Sequence, residues 1–284
     1  MKKHNILQVI FLSELTLVGC EKNMDVQPGI RLKTLEVLND SSGEVYHKYN
    51  FYYDSISGNL LKMIRDGVDS VIVLKINSST VKLSFFYNSS GDFMDAYVNL
   101  DDNQFVYSVN RYSIDDPATR YYSFILKNGG IADSIIEPEM LYPTGFGAYR
   151  ESFIDYNIQM SNSNYTSNDV FYKRIYLNGI TPPDSGTTHY LYSYTGYENN
   201  GLVPLQRIYG IEIFSGWYLD EIDPIYLLNI CGYNAYKPNK YLIDRIQNDK
   251  GREIVFAYTF DAHGNATELH DVTGRKIYKM TYYY

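Results

Sequence analysis

Ile254-Val255-Phe256-Ala257-Tyr258-Thr259-Phe260-Asp261-Ala262-His263-Gly264 sets the pattern on which most of this chain is built. Ile254, Phe256, Tyr258 and Phe260 occupy alternate positions, the period of a strand with one face in a core. The run ends in Asp-x-x-Gly, where the carboxylate can accept hydrogen bonds from the turn backbone and glycine can take the left-handed conformation. Strand and turn together predict a tight hairpin with a glycine bulge.

The same two devices recur along the chain. Val81, Leu83, Phe85 and Tyr87 share one face, with Lys82 and Ser84 on the other. Tyr190, Tyr192 and Tyr194 alternate in the same way, as do Tyr278, Met280, Tyr282 and Tyr284. Asp40-Ser41-Ser42-Gly43, Asn88-Ser89-Ser90-Gly91, Asn248-Asp249-Lys250-Gly251 and Asp271-Val272-Thr273-Gly274 repeat the turn, and Asp54 to Gly58 is the same device with one extra residue. The expected fold is therefore all-β: a large curved antiparallel meander of hairpins with Asp/Asn-x-x-Gly turns. Whether such a sheet stays open or closes into a barrel is not specified by this pattern. One short helix is expected near residues 221–233, with Pro224 tolerated in its first turn. Ser161 to Asp169 reads as a polar loop and Thr181 to Gly186 as a proline-containing turn.

Composition agrees with a folded sheet protein. Of 284 residues 45% are hydrophobic and 20% charged, which excludes a disordered or collagen-like chain. There are 31 Tyr and 13 Phe but only 1 Trp, a balance suited to half-exposed sheet where an aromatic ring packs and its hydroxyl stays wet. A formal charge of −8 gives no basic footprint for nucleic acid, which is not expected as a partner.

The first residues carry an address. Lys2 and Lys3 precede a mostly apolar stretch from Ile6 to Val18, too short to span a bilayer and built like a secretory leader. Leu17-Val18-Gly19-Cys20 matches a bacterial lipobox, so Cys20 is the expected lipid attachment site. The organisation that follows is a lipoprotein signal peptide at 1–19, a tether at 20–29 and a single β-rich domain at 30–284. The expected location is the outer membrane of a bacterial envelope, with its periplasmic or surface face open. Lipidation of Cys20 leaves Cys231 alone, so no disulfide framework exists, and Cys231 is expected as a small buried apolar residue.

Tyr52-Tyr53-Asp54 with Gly58-Asn59-Leu60 and Ile64, then Thr259-Phe260-Asp261 with Gly264-Asn265, resemble the YD motif of Rhs-type repeats. They are also similar to units found near both ends of a family of uncharacterised Bacteroidetes lipoproteins, as is the segment from Tyr226 through Gly232 to Pro238-Asn239-Lys240. The resemblance covers about residues 31–64 and 200–284 and implies no activity.

Candidate chemistry is thin. His263, Glu268, His270 and Asp271 form the best titratable cluster, but the turns at Asp261 and Asp271 account for two of them, and Glu268 with His270 is too few for a closed metal site. Asp101-Asp102 and Asp115-Asp116-Pro117 lack the spaced carboxylates of a calcium loop and read as turns. Nucleophile elbow, phosphate loop and zinc motif are absent from the sequence. The expectation is a non-catalytic protein without cofactor or metal: a binding module for glycan, peptide or another envelope protein, or else a structural lipoprotein docked into a larger outer-membrane complex. Trp217, Tyr218 and Asp220 are the candidate ligand contacts, joining aromatic faces to a carboxylate that can accept sugar hydroxyls.

Overall fold

The computed structural model describes residues 30–87, 92–113, 120–144, 147–178, 180–206, 208 and 224–284. The leader, the tether with Cys20, the Asn88–Gly91 turn and Asp115-Asp116-Pro117 lie outside the described residues.

Sixteen strands follow one another in chain order: β1 (Arg31–Asn39), β2 (Val45–Tyr53), β3 (Leu60–Arg65), β4 (Asp69–Asn77), β5 (Thr80–Tyr87), β6 (Asp92–Leu100), β7 (Val106–Ser113), β8 (Arg120–Lys127), β9 (Ile131–Thr144), β10 (Gly147–Ser161), β11 (Asn164–Tyr176), β12 (Asp184–Glu198), β13 (Tyr241–Asn248), β14 (Glu253–Phe260), β15 (Ala266–Asp271) and β16 (Lys276–Tyr283). Each pairs antiparallel with its neighbours, and β1 pairs with β16 from Arg31↔Tyr283 to Asn39↔Lys276, closing the sheet into a barrel. The expected all-β antiparallel meander is what forms, and closure settles the question the sequence left open. Among the described residues one α-helix, α1 (Pro224–Ile230), lies between β12 and β13.

The turns work largely as their chemistry predicts. Asp261 Oδ1 accepts from the amides of His263 and Asn265, and Gly264 sits at φ 84. Asn248 and Gly251 repeat the arrangement, and Asp54 with Gly58 forms the version longer by one residue. Two turns differ in detail. At the first, the acceptor is Asn39, one residue before Asp40, because its Oδ1 reaches the amides of both Ser41 and Ser42. At the last, Asp271 Oδ1 accepts from Gly274 N, but the left-handed residue is Arg275 at φ 55.

Ser161 to Asp169 is not a loop. The chain reverses at Asn162 and Ser163, both at positive φ, and β11 begins at Asn164. The polar side chains that suggested a loop are used inside the barrel: Asn164 Oδ1 accepts from Tyr241 N, and Asn168 is fully buried. Likewise β12 starts at Asp184, within the stretch read as a turn up to Gly186. The helix is shorter than 221–233 at its C-terminus because Gly232, at φ 82, stops it. Tyr233 N donates to Leu228 O and Gly232 N to Asn229 O, the paired bonds of a Schellman cap.

Alternation sorts the wall into two faces. Leu83, Phe85, Val98, Ile135, Ile246, Leu269 and Met280 point inward and are buried. The outward face carries ion pairs: Lys48–Glu36 at 2.6 Å, Lys82–Asp95 and Arg245–Glu253 at 2.8 Å, and Lys279–Glu268 at 4.0 Å. A lipid-facing barrel wall would have to bury these charges at about 2–4 kcal/mol for each midplane Lys or Arg. Where these pairs stand, the outer wall suits water rather than lipid.

A ring of sixteen strands is wide enough to leave a channel. Here the described residues of the connection between β12 and β13 pack into it at the end where β1 begins and β16 finishes. Leu202, Val203, Ile208, Tyr226, Leu227, Ile230 and Cys231 belong to one core with the inward wall residues. The plug is tied to the hairpin turns of that end: Val106 N donates to Asn234 O, Lys237 N to Gly130 O, and Lys240 N to Ser163 O. Asn239 is the hub, its Oδ1 accepting from Tyr165 N at 2.8 Å and from the Tyr194 hydroxyl at 2.9 Å.

Candidate functional site

Among the described residues, four strands outreach their neighbours at the end opposite the plug. β9 pairs with β8 only as far as Ile136, and its residues 137–144 pair with β10 alone among the described strands. On the other side β13 pairs with β12 only from Tyr190, and beyond the Asp249 N to His189 O bond residues 184–188 pair with β11 alone among the described strands. At about 3.3 Å per residue the free part of β9 is about 25 Å long.

The face of this extension that continues the barrel interior carries Tyr149, Glu151 and Phe153 from β10 and Tyr172, Arg174 and Tyr176 from β11. Register places Tyr149 opposite Tyr176, Glu151 opposite Arg174 and Phe153 opposite Tyr172. Arg174 Nη2 donates to Glu151 Oε1 at 2.6 Å, and its guanidinium lies 4.8 Å from the centre of the Tyr149 ring. The Tyr149 and Tyr176 rings stand 6.0 Å apart. The hydrogen bond to Tyr176 first, and that to Glu151 after burial is offset, stabilise the Arg174 cation. Tyr172 turns across Gly186, where a Cβ would approach its ring edge to 2.9 Å, and Lys250 sits 5.6 Å over the same ring.

Below this face a buried chain of polar groups holds the three strands together. The Tyr192 hydroxyl donates to Asn168 Oδ1 at 2.5 Å, and Asn168 Nδ2 donates to Asp155 Oδ1 at 2.8 Å. The rings above it are half-buried, unlike the core tyrosines Tyr49 and Tyr165. Such a face offers ring surfaces to the apolar side of a ligand and fixed charges to its polar groups.

The residues singled out from sequence are placed elsewhere. Trp217, Tyr218 and Asp220 lie outside the described residues, as does Cys20. His263 occupies the β14–β15 turn, whereas His270 pairs with Asp40 at 3.1 Å and Glu268 with Lys279. Asp101 caps its own turn, accepting from Asn103 N and Phe105 N. Among the described residues, groups of three or more His, Cys, Asp or Glu able to hold a metal are absent. Cys231 is buried, and burial pushes its thiol far above the ordinary value. The projecting face was missed because reading Ser161–Asp169 as a loop cut β11 short. The retained signal was the alternation of Val170, Tyr172, Arg174 and Tyr176.

No protein-family model matches the chain, and no curated protein matches it. Among solved structures it is similar to a porin-like protein from Bacteroides uniformis, at 11% identity and a TM-score of 0.49, over 88% of this chain and 96% of that one.

Proposed function

We propose that this chain is a non-catalytic lipoprotein of a bacterial outer membrane that binds a glycan on the projecting face of β10–β12. The observation that carries the reading is the Arg174–Glu151 pair set between half-buried tyrosine rings, on a sheet that outreaches a filled barrel. Aromatic rings stack on the apolar faces of sugars, while an arginine–carboxylate pair supplies donors and acceptors to hydroxyls. The anchor at Cys20 and the kinship with YD-bearing lipoproteins belong to the same proposal. They are supported by Leu17-Val18-Gly19-Cys20 and by the turn units at Asp54 and Asp261.

A glycan array probed with residues 21–284 tests the binding. A hit whose affinity falls at least tenfold in Tyr172→Ala and Tyr149→Ala, but not in the outer-wall variant Tyr107→Ala, is the expected result. Absence of any hit, or equal loss in all three, overturns it. A structural role docking a partner is favoured by the edges at 137–144 and 184–188, which pair on one side alone among the described residues and could accept an added strand. Pro138 and Pro143 on one edge, and Pro182 and Pro183 before the other, oppose strand addition. A pull-down that recovers one envelope protein equally with wild type and Tyr172→Ala would favour docking.

A further inference from the structure

The first strand enters the barrel at its plugged end. β1 starts at Arg31 beside the end of β16, on the plugged side, and Cys20 lies only eleven residues earlier. Even fully extended, that stretch reaches about 36–40 Å. The strands around this exit, β16 and β1 to β4, carry a run of exposed apolar and aromatic side chains. Ile56 is 95% exposed at the tip of the β2–β3 turn, and Tyr284 is 70% exposed after β16. Tyr52, Leu61 and Ile76 extend the arc along the ends of β2, β3 and β4. Lys33 lies 5.5 Å from the Tyr283 ring and Arg31 5.7 Å from the Tyr53 ring.

Aromatic rings mixed with aliphatic tips and cations form the side-chain chemistry that settles at the headgroup boundary of a bilayer. A Lys or Arg near an anionic surface adds electrostatic attraction. The arc lies beside Arg31, where the described chain begins its first strand. Farther up the same strands stand the Lys48–Glu36 and Lys279–Glu268 pairs, and the Tyr149–Tyr176 face is at the other end.

We propose that the plugged end rests on the membrane: the arc of Tyr52, Ile56, Leu61, Ile76 and Tyr284, with Arg31 and Lys33, docks on the lipid surface, and the projecting face of β10–β12 points away from it. The orientation rests on the lipoprotein reading of Cys20, but contact of the arc with lipid can be tested separately.

Residues 20–284, whose barrel closes without the leader, are coupled through Cys20 to maleimide-bearing lipid in vesicles of phosphatidylethanolamine and phosphatidylglycerol. Cys231 is buried and does not compete for the reagent. Amide hydrogen exchange is then compared with the uncoupled protein. The expected result is at least threefold slower exchange in 54–61 and 76–79, with 249–252 and 272–275 unchanged. Ile56→Asp, on a fully exposed turn tip, should remove most of that protection without changing exchange in the core strands. Unchanged exchange at 54–61, or equal slowing at both ends, overturns the docking proposal. Detergent partition of the full chain made in cells reads native lipidation, so loss of the anchor and loss of the docking surface give different results.

Discussion

Phe105 lies so close over the bare α-carbon of Gly130 that a methyl group there would overlap the ring. Gly130 also sits at φ 74, and its carbonyl accepts from Lys237 N at 2.6 Å. One glycine therefore joins the β6–β7 turn, the β8–β9 turn and the plug. Its neighbour Gly129 has φ 77 with open space where a Cβ would stand. Gly129→Ala should cost about 1 kcal/mol for the left-handed backbone alone. Gly130→Ala adds a clash and should cost roughly 1–3 kcal/mol more. Denaturant unfolding of the two variants measures the difference, and equal costs would show that the ring contact carries no energy.

Asn239 joins plug to wall. Asn239→Leu keeps volume but leaves the buried amide of Tyr165 without its acceptor, at a cost of about 1–3 kcal/mol. Tyr194 keeps an alternative acceptor in the carbonyl of Tyr165. Hydrogen exchange should therefore show the amide of Tyr165 opening well before that of Ile246. Uniform exchange across both strands would mean that Asn239 is not the local tie.

Asp261 gives the fold an acid limit. Burial opposes its ionisation, but the Tyr284 hydroxyl, Asn265 and the His263 amide donate to it and hold its carboxyl at about 2, below the ordinary 3.8. A depressed carboxylate contributes stability that is complete above about pH 4 and is lost as pH falls through about 2. Asp261→Asn should lower stability at neutral pH and flatten the loss between those values. Tyr284→Phe should move the Asp261 titration upward when followed by carboxyl NMR, and an unmoved titration would remove Tyr284 from the account.

Cys231 should be inert. Its buried thiol is pushed up by desolvation, so little thiolate forms at pH 8. A chromogenic disulfide should leave it unmodified in residues 21–284 until guanidinium unfolds the protein. Rapid reaction in the native state would contradict the packing of the plug.

Local chemistry in the sequence was enough to determine the all-β class, the buried faces of β5, β14 and β16 and turns such as Asp261–Gly264. The alternation of Ile254 to Phe260 and the acceptor-plus-glycine geometry of Asp261–Gly264 depend on neighbours a few residues apart. Pattern alone failed where polar residues serve an interior. Asn164 and Asn168 read as loop, but they hydrogen-bond across strands inside the barrel. Only the tertiary structure decided that Arg31 meets Tyr283, that the buried face is a lumen, and that Leu202, Val203, Ile208 and the α1 segment fill one end of it. The same holds for the projecting face, since Glu151 and Arg174 become neighbours only once β10 and β11 pair in register. A period of two says which side of a strand is buried. It contains no information about which distant strand completes the ring or what occupies the space within, because those depend on pairings and volumes set by the whole chain.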